Sequence, residues 1–87
     1  MNTFLVVVIT LALQGNPLIH EPLIYPTPYE SKELCEEARQ NPGLQLKTWL
    51  YKEVKKYNEI PGWSVVPSLT ASACLTAEEI KELKNAP

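Results

Sequence analysis

The chain has 87 residues, 45% of them hydrophobic and 21% charged, with a formal net charge of −2. A chain of this size supports one domain, residues 1–87, with a marginal core in which a cross-link or a partner matters for stability. A mildly acidic chain whose single arginine is Arg39 lacks both the long-range attraction for phosphate and the bidentate donors of a nucleic-acid reader, which argues against that class.

Phe4 to Leu13 is uncharged and runs into Gln14-Gly15-Asn16. A secretory signal needs a positive start, an apolar stretch of about 7 to 15 residues and small residues before the cut. Met1-Asn2-Thr3 carries no cation, and the best small-x-small triplet, Thr10-Leu11-Ala12, falls inside the run. A transmembrane helix needs about 20 apolar residues, and this run stops short. A strand accounts better for the β-branched cluster Val6, Val7, Val8, Ile9 and Thr10. Apolar side chains at consecutive positions then place it inside a sheet, buried on both faces.

Gly15-Asn16 is a turn dipeptide, and Leu18-Ile19-His20-Glu21 resumes an extended pattern beyond it. Residues 4–14 and 18–25 therefore read as a β-hairpin, with a cleaved signal over residues 1–12 standing as the alternative. Pro22, Pro26 and Pro28 then stiffen the connection to the next element.

Ser31 is placed to cap a helix through Lys32 to Gln40, with Leu34, Cys35 and Ala38 on one side and Glu36, Glu37 and Gln40 toward water. Asn41-Pro42-Gly43 interrupts it, and Asn41 reads as the cap of a second stretch with Pro42 in its first turn. Leu46, Leu50 and Val54, with the offset Trp49 and Tyr57, recur at helical spacing. Residues 31–58 are thus a helical crossover broken near 41–43. Pro61-Gly62 ends it, and 63–75 reads as a strand region beginning at Trp63-Ser64-Val65-Val66. Thr76-Ala77-Glu78-Glu79 fits a capping box ahead of a short helix, 77–84, that needs Ile80 and Leu83 to dock.

This order predicts an α+β fold. A right-handed crossover from the second strand puts the last strand parallel to it on the far side of the first. The result is a three-stranded sheet of order 2-1-3 with the helices on one face and a short C-terminal helix. In that arrangement Cys35, early in the crossover helix, and Cys74, late in the last strand, lie at the same end of the sheet. They are the disulfide candidates, against the alternative of two buried thiols in a reducing compartment.

Candidate chemistry is sparse. The chain has no Asp, one His and one Arg, and no G-x-S-x-G element. His20 reads as an ordinary strand side chain. Cys35, Cys74 and His20 lack the C-x-x-C spacing of a zinc site, and Glu33, Glu36 and Glu37 complement a helix start. Lys52, Lys55 and Lys56 among Tyr51 and Tyr57 form a solvated face rather than a phosphate site. No catalytic, cofactor or metal residue is assigned. Trp49 reads as core, while Trp63, Tyr51 and Tyr57 are the interface candidates.

Gly15-Asn16 after an apolar strand, Tyr29-Glu30-Ser31-Lys32-Glu33-Leu34-Cys35-Glu36-Glu37-Ala38, and a strand ending Ala71-Ser72-Ala73-Cys74 together resemble small uncharacterised proteins of tailed bacteriophages and prophages. The resemblance covers about residues 4 to 75. It implies the hairpin-helix-strand fold and a viral accessory role in the host cytoplasm or virion, and brings no activity or site residue with it. The expectation is a non-enzymatic protein-interaction module that binds a host or virion protein through a sheet edge or an aromatic patch near Trp63. The alternative is an exported periplasmic or secreted protein with a cleaved signal and one disulfide.

Overall fold

β1, Thr3–Leu13, is the strand with which every other strand pairs. The structure is a computed structural model in which residues 2–85 are described; residues 1, 86 and 87 of the single-domain reading lie outside the described residues. β2, Ile19–Ile24, returns antiparallel along one side of β1, in a register from Val6 opposite Ile24 to Leu11 opposite Ile19. Gly15 makes the turn at φ +82°, where a side chain is strained, and the Asn16 amide donates to the Leu13 carbonyl at 3.0 Å.

The other side of β1 carries two short strands end to end. β3, Trp63–Val65, pairs antiparallel with Leu11 to Leu13, and β4, Ala71–Thr76, with Thr3 to Val8. The expected order 2-1-3 is therefore present, with the 63–75 region split into two strands. Pro67 explains the split. It has no amide to give to the ladder and opens a 3-10 turn, Pro67–Leu69, that carries the chain out of the sheet.

α1, Lys32–Gln40, starts as expected, its Leu34 amide donating to the Ser31 hydroxyl at 3.2 Å. α2, Leu44–Asn58, starts differently: its cap is Gly43, with no side-chain bond, while the Asn41 backbone N–H closes α1 by donating a hydrogen bond to the Glu37 carbonyl. Pro42 forces this outcome, because the residue before a proline is pushed out of helical geometry, and Asn41 sits at φ −129°, ψ 71°. Leu34, expected on the apolar side of α1, is 48% exposed. The buried direction of α1 centres on Cys35, one residue and about 100° of helical rotation away.

The odd-numbered side chains of β1 meet α1 and α2. Leu5 packs with Cys35, Leu46 and Cys74, flanked by Tyr25, Tyr29 and Trp49. Val7, Ile9 and Leu11 pack with Leu23, flanked by Trp49, Leu50, Val54 and Tyr57. The even-numbered side chains point to the opposite face, yet Val6 and Thr10 are also fully buried. The Pro67–Leu69 turn lies over Thr10, whose hydroxyl donates to the Leu69 carbonyl at 3.3 Å.

α3, Ala77–Asn85, follows directly on β4 and lies against it. Its buried Ile80 belongs to neither cluster of the α1–α2 face. Its Leu83 shares a cleft at the β2 edge with Pro22 and Ile24, whose β1 partners Val8 and Val6 face away from α1 and α2, and with Trp49 and Glu53 of α2 on the other side of that edge. The uninterrupted apolarity of β1 thus has a cause on each face, and cutting residues 1–12 away would remove the strand that holds the others together.

Candidate functional site

The sulfurs of Cys35 and Cys74 are bonded, with Cα atoms 6.0 Å apart. Leu5 stands opposite Cys74 in the ladder, so the bridge spans from α1 to β4 on the helical face, as the shared sheet end predicted. It fixes α1 over the lower part of β4.

The interface candidates fall in two places. Trp63 and Tyr57 are half-buried and pack together around the Val7–Ile9–Leu11 cluster. Burial first, then the Glu21 and Glu53 carboxylates, raise the Tyr57 phenol above its ordinary range, with Lys56 acting against them. Tyr51, on another side of α2, is 69% exposed and lines a shallow groove with Val54 and Lys55. The three do not form one patch.

His20 meets Thr10 across the strands, Nδ1 to Oγ1 at 3.0 Å. Thr10 has no exposure, and its hydroxyl proton already faces the Leu69 carbonyl, so this contact fastens β2 and the 3-10 turn to the second face of β1. Among the described residues no group of three or more His, Cys, Asp or Glu side chains is arranged to hold a metal ion. No helix among them is long and apolar enough to cross a membrane.

The two sheet margins are more informative. The Tyr25 amide donates to the Leu5 carbonyl, so odd residues of β1 direct their backbone groups toward β2, and even residues direct theirs the other way. His20, Pro22 and Ile24, opposite the even residues Thr10, Val8 and Val6, consequently aim their backbone outward. Pro22 sits at the middle of that free margin, where it deletes the outward donor.

On the opposite margin the same alternation points Trp63, Val65, Ser72, Cys74 and Thr76 outward. Local acceptors answer most of them. Trp63 donates to the Ile60 carbonyl at 3.1 Å, Val65 to Asn58 Oδ1 at 3.0 Å, and Thr76 to Glu79 Oε1 at 3.0 Å. Cys74 lies beneath α1, buried and bridged. Ser72 remains, an exposed position whose outward N–H finds no acceptor among the described residues.

Ser72 also borders a cleft of about 180 Å³ where α1 gives way to α2. Its floor is apolar, formed by Leu5, Val7, Leu46 and Leu50. Ser72 stands opposite Val7, so its side chain shares the helical face and enters the cleft wall. Arg39 and Lys47 complete the rim, and no carboxylate among the described residues lines it. Arg39 Nη2 bonds Glu36 at 2.8 Å, whereas Lys47 has no ion-pair partner among the described residues. The rim therefore carries unbalanced positive charge in a chain that is acidic overall.

Sequence reading missed this cleft. Leu46 and Leu50 were legible as core, but the cleft depends on Pro67 splitting the strand and on Pro42 separating the helices, and no local pattern encodes the gap between those breaks. Comparison with protein-family models, curated proteins and solved structures finds no match.

Proposed function

We propose that the chain is a small, disulfide-braced, non-enzymatic interaction module that engages a protein partner at the Ser72 margin of its sheet. The accessory role implied by the phage-protein resemblance belongs to this reading. One observation carries it: among the described residues Ser72 is the exposed outward β4 position whose N–H has no local acceptor, buried Cys74 being covered by α1, and it adjoins an apolar cleft with a cationic rim. An extended segment adding to such a margin gains backbone hydrogen bonds from the strand and selectivity from the neighbouring cavity. The aromatic candidates support it less well, since Trp63 and Tyr57 lean on the core and Tyr51 stands alone.

The exported alternative draws on the disulfide, which suits an oxidising compartment. Signal cleavage over residues 1–12 is at odds with the central position of β1, so export by that route is the weaker reading.

A photo-reactive residue at Thr70 or Ala71, beside the cleft, is expected to yield a discrete adduct in lysate of the source cell, and one at Lys81 on α3 to yield none. Equal labelling from both places, or from neither, overturns the assignment of the margin.

A further inference from the structure

We infer that the cleft beside Ser72 binds the free C-terminal carboxylate of a partner chain ending in an aliphatic residue. This rests on the interaction reading and specifies its ligand. The floor of Leu5, Val7, Leu46 and Leu50 is apolar, and its volume of about 180 Å³ suits one side chain. A protein cavity of about 150 Å³ holds benzene, so a leucine-sized group fits here.

The rim decides the charge of the group that this side chain carries with it. Lys47 offers an ammonium with no counter-ion among the described residues, and Arg39 offers the donors its bond to Glu36 does not use. With no carboxylate among the described residues of the lining, an anion is favoured and a cation repelled. The Ser72 amide adds a backbone donor aimed outward from the strand. A free fatty acid supplies the tail and the charge but has no backbone to pair with Ser72. A peptide terminus supplies all three.

The available margin is short, and that favours a chain end over an internal segment. On one side Cys74 lies under α1, and on the other the 3-10 turn at Pro67–Leu69 leaves the sheet. Only the stretch around Ala71 to Ala73 is open to a newcomer, enough for the last residue or two of a strand.

The test uses the intact, oxidised chain, isotope-labelled, and a short peptide ending in leucine. The free-acid peptide is expected to shift the Ser72 and Lys47 amide resonances. Its C-terminal amide, and a free-acid peptide ending in glycine, are each expected to bind at least tenfold more weakly. Lys47→Gln is expected to weaken the free-acid peptide at least threefold while leaving the spectrum of the unbound chain unchanged elsewhere, since Lys47 is exposed. Equal binding of acid and amide, shifts centred away from the cleft, no binding at all, or tighter binding of octanoate than of the peptide overturns the inference. Should crosslinking at Thr70 or Ala71 succeed while the peptide acid shows no advantage, the interaction reading stands and the terminal-carboxylate assignment falls. Should both fail, both fall.

Discussion

Cys35 and Cys74, 39 positions apart, are joined across the helical face, so that the first turns of α1 are tied to the strand that borders the cleft. Closing a loop of about 40 residues restricts the unfolded chain by roughly 4 kcal/mol on the entropic account, against total stabilities of about 5 to 15 kcal/mol for small domains. Both cysteines are buried, so reduction also leaves two thiols in an apolar setting without repacking it. Urea unfolding followed by circular dichroism, with and without reductant, is expected to show a loss of about 4 kcal/mol. An unchanged midpoint after verified reduction contradicts the bridge as the brace of this fold.

Thr10 has one hydroxyl proton and two neighbours. It donates to the Leu69 carbonyl at 3.3 Å, and its oxygen lies 3.0 Å from His20 Nδ1. Thr10→Val keeps the shape and removes both bonds. The expected cost is about 1 kcal/mol, the ordinary net worth of an intramolecular hydrogen bond. The more specific outcome is local: the amides of Leu69 and Thr70, which close the 3-10 turn onto Val66 and Pro67, exchange faster in the variant. Unaltered protection there would mean that the hydroxyl does not hold the turn.

How much of this was readable beforehand depends on the range of the interaction. β1 was legible because burial on both faces leaves a mark on every consecutive residue, and the 2-1-3 order followed from it by the handedness of the crossover. Ser31 and Thr76 were legible because caps act over three residues. The Gly43 cap was missed because the competition between Asn41 and Gly43 is settled by the geometry Pro42 imposes. The seat of α3 against β4 was not foreseen, since Ile80 and Leu83 announce an apolar side without saying what receives it. The cleft lay furthest from view, as it is a space between elements.

Pro22 guards the margin opposite the cleft. Its ring nitrogen occupies an outward position between His20 and Ile24, removing one of the donors that a second chain would use. Pro22→Val restores that donor and adds a β-branched residue suited to pairing. The variant is expected to self-associate at concentrations where the parent does not, seen by sedimentation velocity as a shift to larger species. Identical sedimentation of the two proteins would show that the β2 margin is kept apart by something other than this proline, the neighbouring α3 residues Leu83 and Lys84 being the first to examine.

Thr76 and Glu79 exchange hydrogen bonds at the junction of β4 and α3: the Thr76 amide reaches Glu79 Oε1 at 3.0 Å, and the Glu79 amide reaches the Thr76 hydroxyl at 3.3 Å. The bond from the Thr76 backbone, aided by the Thr76 side chain and by Lys32, holds the Glu79 carboxyl below its ordinary value of 4.5. A carboxyl depressed in the folded chain binds protons more readily when unfolded, so its contribution is complete above pH 4.5 and is lost as pH falls through the lower, folded value. Below that point the capping box loses its charge and the first turn of α3 is held less firmly at its junction with β4. Thr76→Ala is expected to cost about 1 kcal/mol at neutral pH. Glu79→Gln is expected to flatten the acid-side loss of helical signal, so that parent and variant differ at neutral pH and converge in acid. Parallel acid profiles for the two chains would assign that loss to other carboxylates and leave Glu79 without a part in holding α3.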